Sequence, residues 1–420
     1  MIQIFIPNNN INERKYIINV IFKEFLGLDY NISIYNNSDY KIILRNGNFL
    51  IIEDNFFNKY PNDLEYLKFE NIPKNIEDLD IFATSFFMLT RWEEYVNKIR
   101  DQHNRFPAYE SLAYKNNFLD RPIVNEHLED LKNNLKKLDE TLIFKKRKFQ
   151  IYLTCDVDNA KKYRNFKSGI KDIIDDLVVK KNIRFFLKNI AHKVLFTFRL
   201  VKDPYDTFDY MMDCSEKLNL KIYFFLHSSN SSKHDINNDK YIKALANKIL
   251  KRNHFLGYHP SYCAYKDYNL FIKDKEHIEK IIENNLYFGR QHYLNFLVPT
   301  TWQIWEDAKM KWDSSLGYAD KEGFRCGTCY PFTTFNILTR QHLSVVENPL
   351  IVMDTSFVTY RENKLAPKDM EKKIIDLIDI VKKYNGNFVF LWHNNNFNRS
   401  GWYEYREVYK NIINYLSMYI

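Results

Sequence analysis

The stretch Tyr152–Tyr163, YLTCDVDNAKKY, decides how the chain is read. Tyr152 to Cys155 have the character of a buried strand. Two carboxylates follow at a spacing of two, Asp156 and Asp158. On an extended segment that spacing points both side chains to one side. Two neighbouring carboxylates cannot both ionise freely unless a cation lies beside or between them. One reading is therefore a metal site, in which one carboxylate ligates the ion and the other takes a proton from water. The other reading is an N-cap on the following helix, favourable by about 1 kcal/mol. Taken alone, the pair leaves both open.

From residue 148 onward the rhythm is strand, helix, strand. Apolar segments FQIYLTCD, KIYFFLH, FLGYHP and NFVFLWHN alternate with the helical patterns YDTFDYMMDCSEKLN and YIKALANKILKRN. Buried strands alternating with helices predict an α/β architecture with a parallel sheet or barrel. In such folds working residues gather at the carboxyl ends of strands. Ionisable residues recur at those ends: Asp156 and Asp158, His227, His259, Arg290 with His292 after LYFG, and His393. His259 precedes Pro260, which fixes a turn, and neutral imidazole suits zinc and similar cations. His227 and His254 read as structural.

The first 145 residues differ. They mix short strands, as in KIILRNGNFLIIED, with amphipathic helices. DIFATSFFMLTRWEEYV has apolar residues at helical spacing and predicts one helix packing one face inward. EHLEDLKNNLKKLDETL reads as a polar helix leading to the basic run FKKRKFQ, Phe144 to Gln150. We place the domain boundary there, giving an N-terminal α/β domain over 1–145 and a second domain over 146–420.

Composition bounds the function. The 420 residues are 45% hydrophobic, enough for a large core, and 16% aromatic, too many for a disordered chain. A net charge of +8 is spread along the sequence and comes with no recognisable nucleic-acid module, so no nucleic-acid partner is expected. No apolar run reaches the roughly 18 residues of a membrane helix, and the start MIQIFIPNNNINERKYIINV lacks the layout of a signal peptide. A cytoplasmic protein with reduced thiols is the expectation, and Cys326 and Cys329 read as packed thiols.

The ordered motifs resemble the polysaccharide deacetylases of the metal-dependent carbohydrate esterase superfamily, over roughly residues 148 to 400. TCDVD is similar to that family's acidic pair at a strand end, and HPSYC to its His-Ser-x-x-His motif. RQH at Arg290 stands in place of its Arg-x-Pro, and LWH at Leu391 to His393 matches its leucine-x-histidine. A narrower subgroup with an uncharacterised N-terminal domain is similar through DPYDTFDYMMD, GYHPSY, RQHYL, DSSLGYADKEGFRCGTCYPF, MDTSF and LWHNN. For that subgroup's first domain, IPNNNINERKYIINVIF and DIFATSFFMLTRWEEY are similar.

The resemblance implies a distorted, incomplete (β/α) barrel behind a smaller N-terminal α/β domain. It implies a hydrolase that removes an N-acetyl group from an amino sugar in a glycan or glycan precursor, with a divalent metal, zinc first, as cofactor. By the same resemblance Asp156 is the base, Arg290 orients it, and His393 is the acid that protonates the leaving amine. Asp158 and His259 are metal ligands. The family's second histidine ligand falls at Cys263; His292, where the family has proline, is the expected third ligand, with the Cys263 thiolate the alternative. Asp313, Tyr318, Arg325 and Trp392 are the candidate substrate contacts, with a turn cap for Asp313, a surface salt bridge for Arg325 and core packing for Trp392 as the alternative readings, and Asp354 is read as either functional or structural. Two other classes stay in play: a sugar-binding barrel without turnover, and a scaffold in glycan assembly.

Overall fold

The computed structural model describes residues 1–163, 183–227 and 238–420. Two sheets organise them. Strands β1 (Ile2–Pro7), β2 (Tyr30–Tyr35), β3 (Tyr40–Ile43) and β4 (Phe49–Ile52) form the first, in the order β2-β1-β3-β4. β1 and β2 run parallel, joined by the helical segments Ile11–Ile18 and Asn19–Leu26. The KIILRNGNFLIIED segment is the antiparallel β3–β4 hairpin.

The second sheet has nine strands: β5 (Gln150–Asp156), β6 (Ile222–Leu226), β7 (Phe255–Tyr258), β8 (Phe288–Gly289), β9 (Trp312–Asp313), β10 (Phe332–Asn336), β11 (Gln341–Glu347), β12 (Val352–Met353) and β13 (Asn387–Leu391). Their order is β10-β11-β9-β8-β7-β6-β5-β13-β12. Every neighbouring pair is parallel except β10–β11. The α/β class and the parallel sheet match the expectation. A closed barrel does not appear: among the described residues no pairing joins β12 to β10. The hairpin partner occupies one edge, since antiparallel β10 turns back on β11 instead of continuing the parallel series. β9 to β12 went unpredicted, because two-residue strands such as β9 and β12 are too short to show any alternation.

Helices cover the sheet with single apolar faces. Asp239–Lys251 buries Ile242, Leu245, Ala246 and Ile249, and Pro367–Lys383 buries Met370, Ile374, Leu377, Ile378 and Val381, both at i, i+3/i+4 spacing. The β6 sequence IYFFL is apolar throughout and lies mid-sheet, as expected for a strand covered on both faces.

The segment DIFATSFFMLTRWEEYV departs from its reading in two ways. It forms two helices, Ile81–Thr90 and Trp92–Val96, broken at Arg91, whose φ is 54°. The first is buried nearly all round, from Phe82 to Thr90, because it lies between the Ile123–Leu138 helix, the Ile11–Ile18 helix and β10. Asp80 caps it, accepting from the Phe82 and Ala83 amides at 2.8 and 3.0 Å. The helix read as polar, Ile123–Leu138, carries an apolar face of Ile123, Val124, Leu128, Leu131 and Leu135.

One hydrophobic core runs from Ile2 to Leu416 and takes side chains from both sheets. Polar contacts join the parts as well: the Tyr16 hydroxyl donates to the Thr333 carbonyl at 2.9 Å, and Arg340 grips Glu13 through two bonds of 2.8 Å. Among the described residues no helix is long and apolar enough to cross a membrane. Cys326 and Cys329 are buried free thiols.

Candidate metal centre and its surroundings

Parallel strands bring their carboxyl ends to one edge of the sheet. Asp156 closes β5, His227 follows β6, His259 follows β7, Arg290 follows β8, Asp354 follows β12, and His393 lies two residues beyond β13. Close strand approach is built in: a Cβ on Gly289 would stand 1.8 Å from the Tyr258 carbonyl oxygen, so only glycine fits between β7 and Arg290.

Asp158 sits at the centre of the group, its side chain 24% exposed. Its Oδ1 is 3.1 Å from His259 Nε2 and 3.5 Å from His292 Nε2; its Oδ2 is 3.6 Å from His393 Nε2. Ligand atoms of Asp158, His259 and His292 all lie within 4.8 Å of one another. Among the described residues this is the one group of three or more such side chains spaced to hold an ion; Cys263 is exposed and not part of it.

The hydrogen bonds around the group restrict its chemistry. His259 Nδ1 is 2.7 Å from the Arg290 carbonyl oxygen, which can only accept, so Nδ1 carries the proton. In the neutral ring Nε2 then presents a lone pair, and it faces the Asp158 carboxylate at 3.1 Å. Two acceptors at that distance repel unless a proton or a cation lies against them. A carboxylate and two imidazole nitrogens form a donor set suited to zinc and its neighbours, so the residues present fit the implied metal. The carbonyl behind His259 is the outer partner that such ligands characteristically have.

Charge follows the same geometry. Burial favours a neutral Asp158, but the His292, His259 and His393 rings outweigh it and hold the carboxyl well below the usual carboxylate range. Burial lowers the His259 pKa, yet Asp156 and Asp158 more than reverse that and raise it. For His393, burial is outweighed by Asp354 and then by Asp158, which lift it to about 9.

Asp156 is buried and held by Arg290, whose Nη1 donates to its Oδ1 at 2.8 Å. The same Nη1 reaches Thr154 Oγ1 at 2.9 Å, while Nε and Nη2 donate to the Ser314 carbonyl and hydroxyl at 2.7 and 3.1 Å. With the guanidinium stacked 4.8 Å from the Phe225 ring centre, Arg290 has little freedom and fixes Asp156 in turn. On the far side, His393 Nδ1 is 2.7 Å from Asp354 Oδ1. Asp354 Oδ2 accepts from the His393 amide and Asn396 Nδ2, each at 2.8 Å. A carboxylate on Nδ1 sets the ring's tautomer and leaves Nε2 facing Asp158.

The structure thus brings together Asp156, Asp158, His259, Arg290, His292 and His393. It does not bring the four candidate substrate contacts to them as free groups. Trp392 is buried and its ring meets Phe390, Phe397, Trp402 and Tyr409. Arg325 donates to Glu94 through Nε and Nη2 at 2.9 and 2.5 Å, and the Tyr318 hydroxyl accepts from Arg91 at 2.9 Å. Asp313 is buried, accepts from Ser315 Oγ at 2.5 Å, and lies opposite Glu347 in the β9–β11 register. Burial raises the pKa of both carboxyls of that pair. Two further residues matter more than their sequence reading. Asp354 positions His393, and His227, read as structural, has its ring 5.1 Å from His292 and 5.8 Å from His259. Its place at the end of β6 was the available signal. His254 keeps its structural role, with Nδ1 accepting from the Ile222 amide at 3.1 Å.

Against known proteins, residues 2–140 match a family of unknown function, DUF7033. No curated protein matches the chain. Solved structures similar to it are polysaccharide deacetylases at low identity. A putative polysaccharide deacetylase from Mycobacterium smegmatis shares 13% identity at a TM-score of 0.40, over 64% of this chain and 84% of that one. A probable polysaccharide deacetylase from Pseudomonas aeruginosa PAO1 shares 8% at 0.34, over 50% and 65%. A mutant of a CE4 family pseudoenzyme shares 13% at 0.31, over 69% and 79%.

Proposed function

We propose that this chain is a metal-dependent carbohydrate deacetylase, a hydrolase that removes an N-acetyl group from an amino sugar in a glycan or glycan precursor. The observation that carries the reading is the apposition of His259 Nε2 and the Asp158 carboxylate, with His393 Nε2 3.6 Å from that carboxylate and Asp156 at the end of β5, held by Arg290. Asp158, His259 and His292 would hold the cation, zinc first. When bound, such an ion polarises an amide carbonyl and makes water more acidic.

The chain's own groups supply the rest. Asp156, oriented by Arg290, accepts a proton from the attacking water as the water oxygen bonds to the acetyl carbon. Against its burial, Asp354 on Nδ1 lifts His393 to about 9, so the ring is protonated on both nitrogens near neutral pH and Nε2 gives its proton to the amine nitrogen as the carbon–nitrogen bond breaks. Acetate and a free amino sugar leave. The reading keeps residues 1–145 as an N-terminal domain and assigns no catalytic group to Asp313, Tyr318, Arg325 or Trp392.

Asp156→Asn tests it. The amide keeps the shape and one acceptor for Arg290 but cannot take the proton. Hydrolysis of an N-acetylated sugar should fall by about 10²–10⁴, the range for a general base. Melting temperature should fall, because Arg290 loses its carboxylate while buried, but the variant should fold and its cation content per folded chain should hold. Retained hydrolysis removes Asp156 as the base. A wild-type chain that folds and binds sugar but takes up no cation and releases no acetate belongs to the non-catalytic barrel instead.

A further inference from the structure

The turn that carries His292 is strained. Tyr293 and Leu294 both sit in the left-handed region, with φ of 61° and 56°, and neither is glycine. Two adjacent non-glycine residues there are costly and persist only where surroundings over-determine them. One restraint is local, from the Leu294 amide to the Gln291 carbonyl at 3.0 Å. Another comes from the β7 side, where Asn295 Nδ2 donates to the Tyr262 carbonyl at 3.1 Å.

A third comes from the first third of the chain. Arg105 Nη1 donates to the Tyr293 carbonyl at 3.2 Å, across 188 positions of sequence. Its other nitrogens are engaged by Asp101, with Nε and Nη2 each 2.8 Å from Oδ2, and its guanidinium lies 4.3 Å from the Tyr360 ring centre. The loop that presents it is closed on itself. The Asp101 amide donates to the Arg105 carbonyl at 2.9 Å, and Asp101 Oδ1 accepts from the His103 and Arg105 amides at 2.8 and 2.9 Å. Next to it, the His103 ring packs on Tyr293 at 4.7 Å and its Nδ1 meets the Tyr262 hydroxyl at 3.1 Å. A rigid loop thus grips the residue beside His292 through a buried, doubly held arginine.

We propose that Arg105 is a positioning residue for the metal centre. By fixing the Tyr293 carbonyl it holds the left-handed turn that aims His292 at Asp158, so the N-terminal region completes the ligand set without contributing a ligand. This rests on reading His292 as a ligand. It also explains how a histidine two positions past Arg290 reaches a site that the strands alone do not place it in: the strand ends at Gly289, and the turn, not the sheet, directs it.

The test is cation affinity of the full-length apo protein, titrated with cobalt or zinc ions alone and followed by calorimetry. Arg105→Met should weaken binding 10–100-fold, the usual effect of losing an outer partner of a ligand. Arg105→Lys, which keeps the charge but cannot hold Asp101 and the Tyr293 carbonyl together, should weaken it about tenfold. Arg340→Met breaks a different link between the same two parts of the chain, the one to Glu13, and should lower the melting temperature with affinity unchanged. Wild-type affinity in Arg105→Met, or an equal loss in Arg340→Met, overturns the inference while leaving the proposed function standing. If Arg105→Met does not fold, Arg105→Lys decides by the same criterion. A wild-type chain that takes up neither ion overturns both.

Discussion

Two buried clusters of arginine and carboxylate lie in this molecule, and they are built to opposite ends. In the first, Arg325 and Arg91 surround Glu94, and Arg91 also reaches Glu93 at 3.1 Å. Donors and acceptors match. Both guanidinium groups face carboxylates, Arg325 also donates to the Gly317 carbonyl at 2.8 Å, and Glu94 is held below the usual range, to about 2, by Arg325 and Arg91 against its burial. In the second cluster, Arg290 covers Asp156, but among the described residues the side chains paired with Asp158 are imidazoles, those of His259, His292 and His393. The first cluster is closed and joins two parts of the chain. The second pairs its outer carboxylate with groups that can also ligate a cation, so an ion can take the place of the protons on those rings. Buried carboxylates thus separate into structure and chemistry by whether arginines or imidazoles hold them.

Substitutions break the comparison in graded ways. Glu94→Gln should have the largest effect, because Arg325 loses its carboxylate while still buried. Removing one partner of a buried pair costs about 3–5 kcal/mol, read by chemical denaturation, and cation uptake per folded chain should not change. Asp158→Asn should do the reverse. It leaves no arginine unpaired, so its stability loss should be the smaller of the two, while cation affinity falls by more than about 100-fold, beyond the range of an outer partner. Equal stability losses in the two variants would erase the distinction between the clusters.

Asp354→Asn is expected to be milder and to sharpen the second cluster. The His393 pKa is raised to about 9 chiefly by Asp354, against its burial. A neutral amide removes that support, so the ring releases its proton at lower pH. The alkaline limb of the pH–rate profile should move down, and the rate at its optimum should fall about tenfold, as for a lost outer partner. An unmoved limb would take His393 out of the acid role.

The smallest change at any single pH concerns the third carboxylate pair, Asp313 and Glu347. Burial raises both, so the native state keeps a proton that the unfolded chain releases above about pH 4.3. Unfolding therefore releases protons, and stability falls as pH rises above that value, by at most about 1.4 kcal/mol per pH unit for one proton. Glu347→Gln cannot ionise, and its plot of stability against pH from 5 to 8 should be flatter than the wild type's. A parallel plot would contradict the shared proton.

These contrasts also show where a sequence is readable. Asp156, Asp158, His259 and His393 were legible because each ends a strand with a strong apolar run, and parallel strands must deliver their ends to one edge. His227 ends such a strand too, but nothing local separates it from a packed histidine. Arg325 and Tyr318 look like site residues by type. Their partners Glu94 and Arg91 lie more than 220 positions away, and no spacing rule reports a contact across that distance. The break at Arg91 was hidden because apolar residues continue at helical spacing on both sides of it. The open edge at β12 was hidden because that strand is two residues long. Local pattern reports elements and their ends; what fills a buried valence depends on docking the first third of the chain onto the rest.

The central claim is that Asp158, His259 and His292 share one cation. Anomalous diffraction at the zinc or cobalt edge, from crystals of the full chain grown with the ion, tests it directly. The account predicts one peak bounded by one Asp158 oxygen and the Nε2 atoms of His259 and His292, with Cys263 outside it. A peak at the Cys263 sulfur, or density showing the His259 and Asp158 side chains joined with no ion between them, would contradict it.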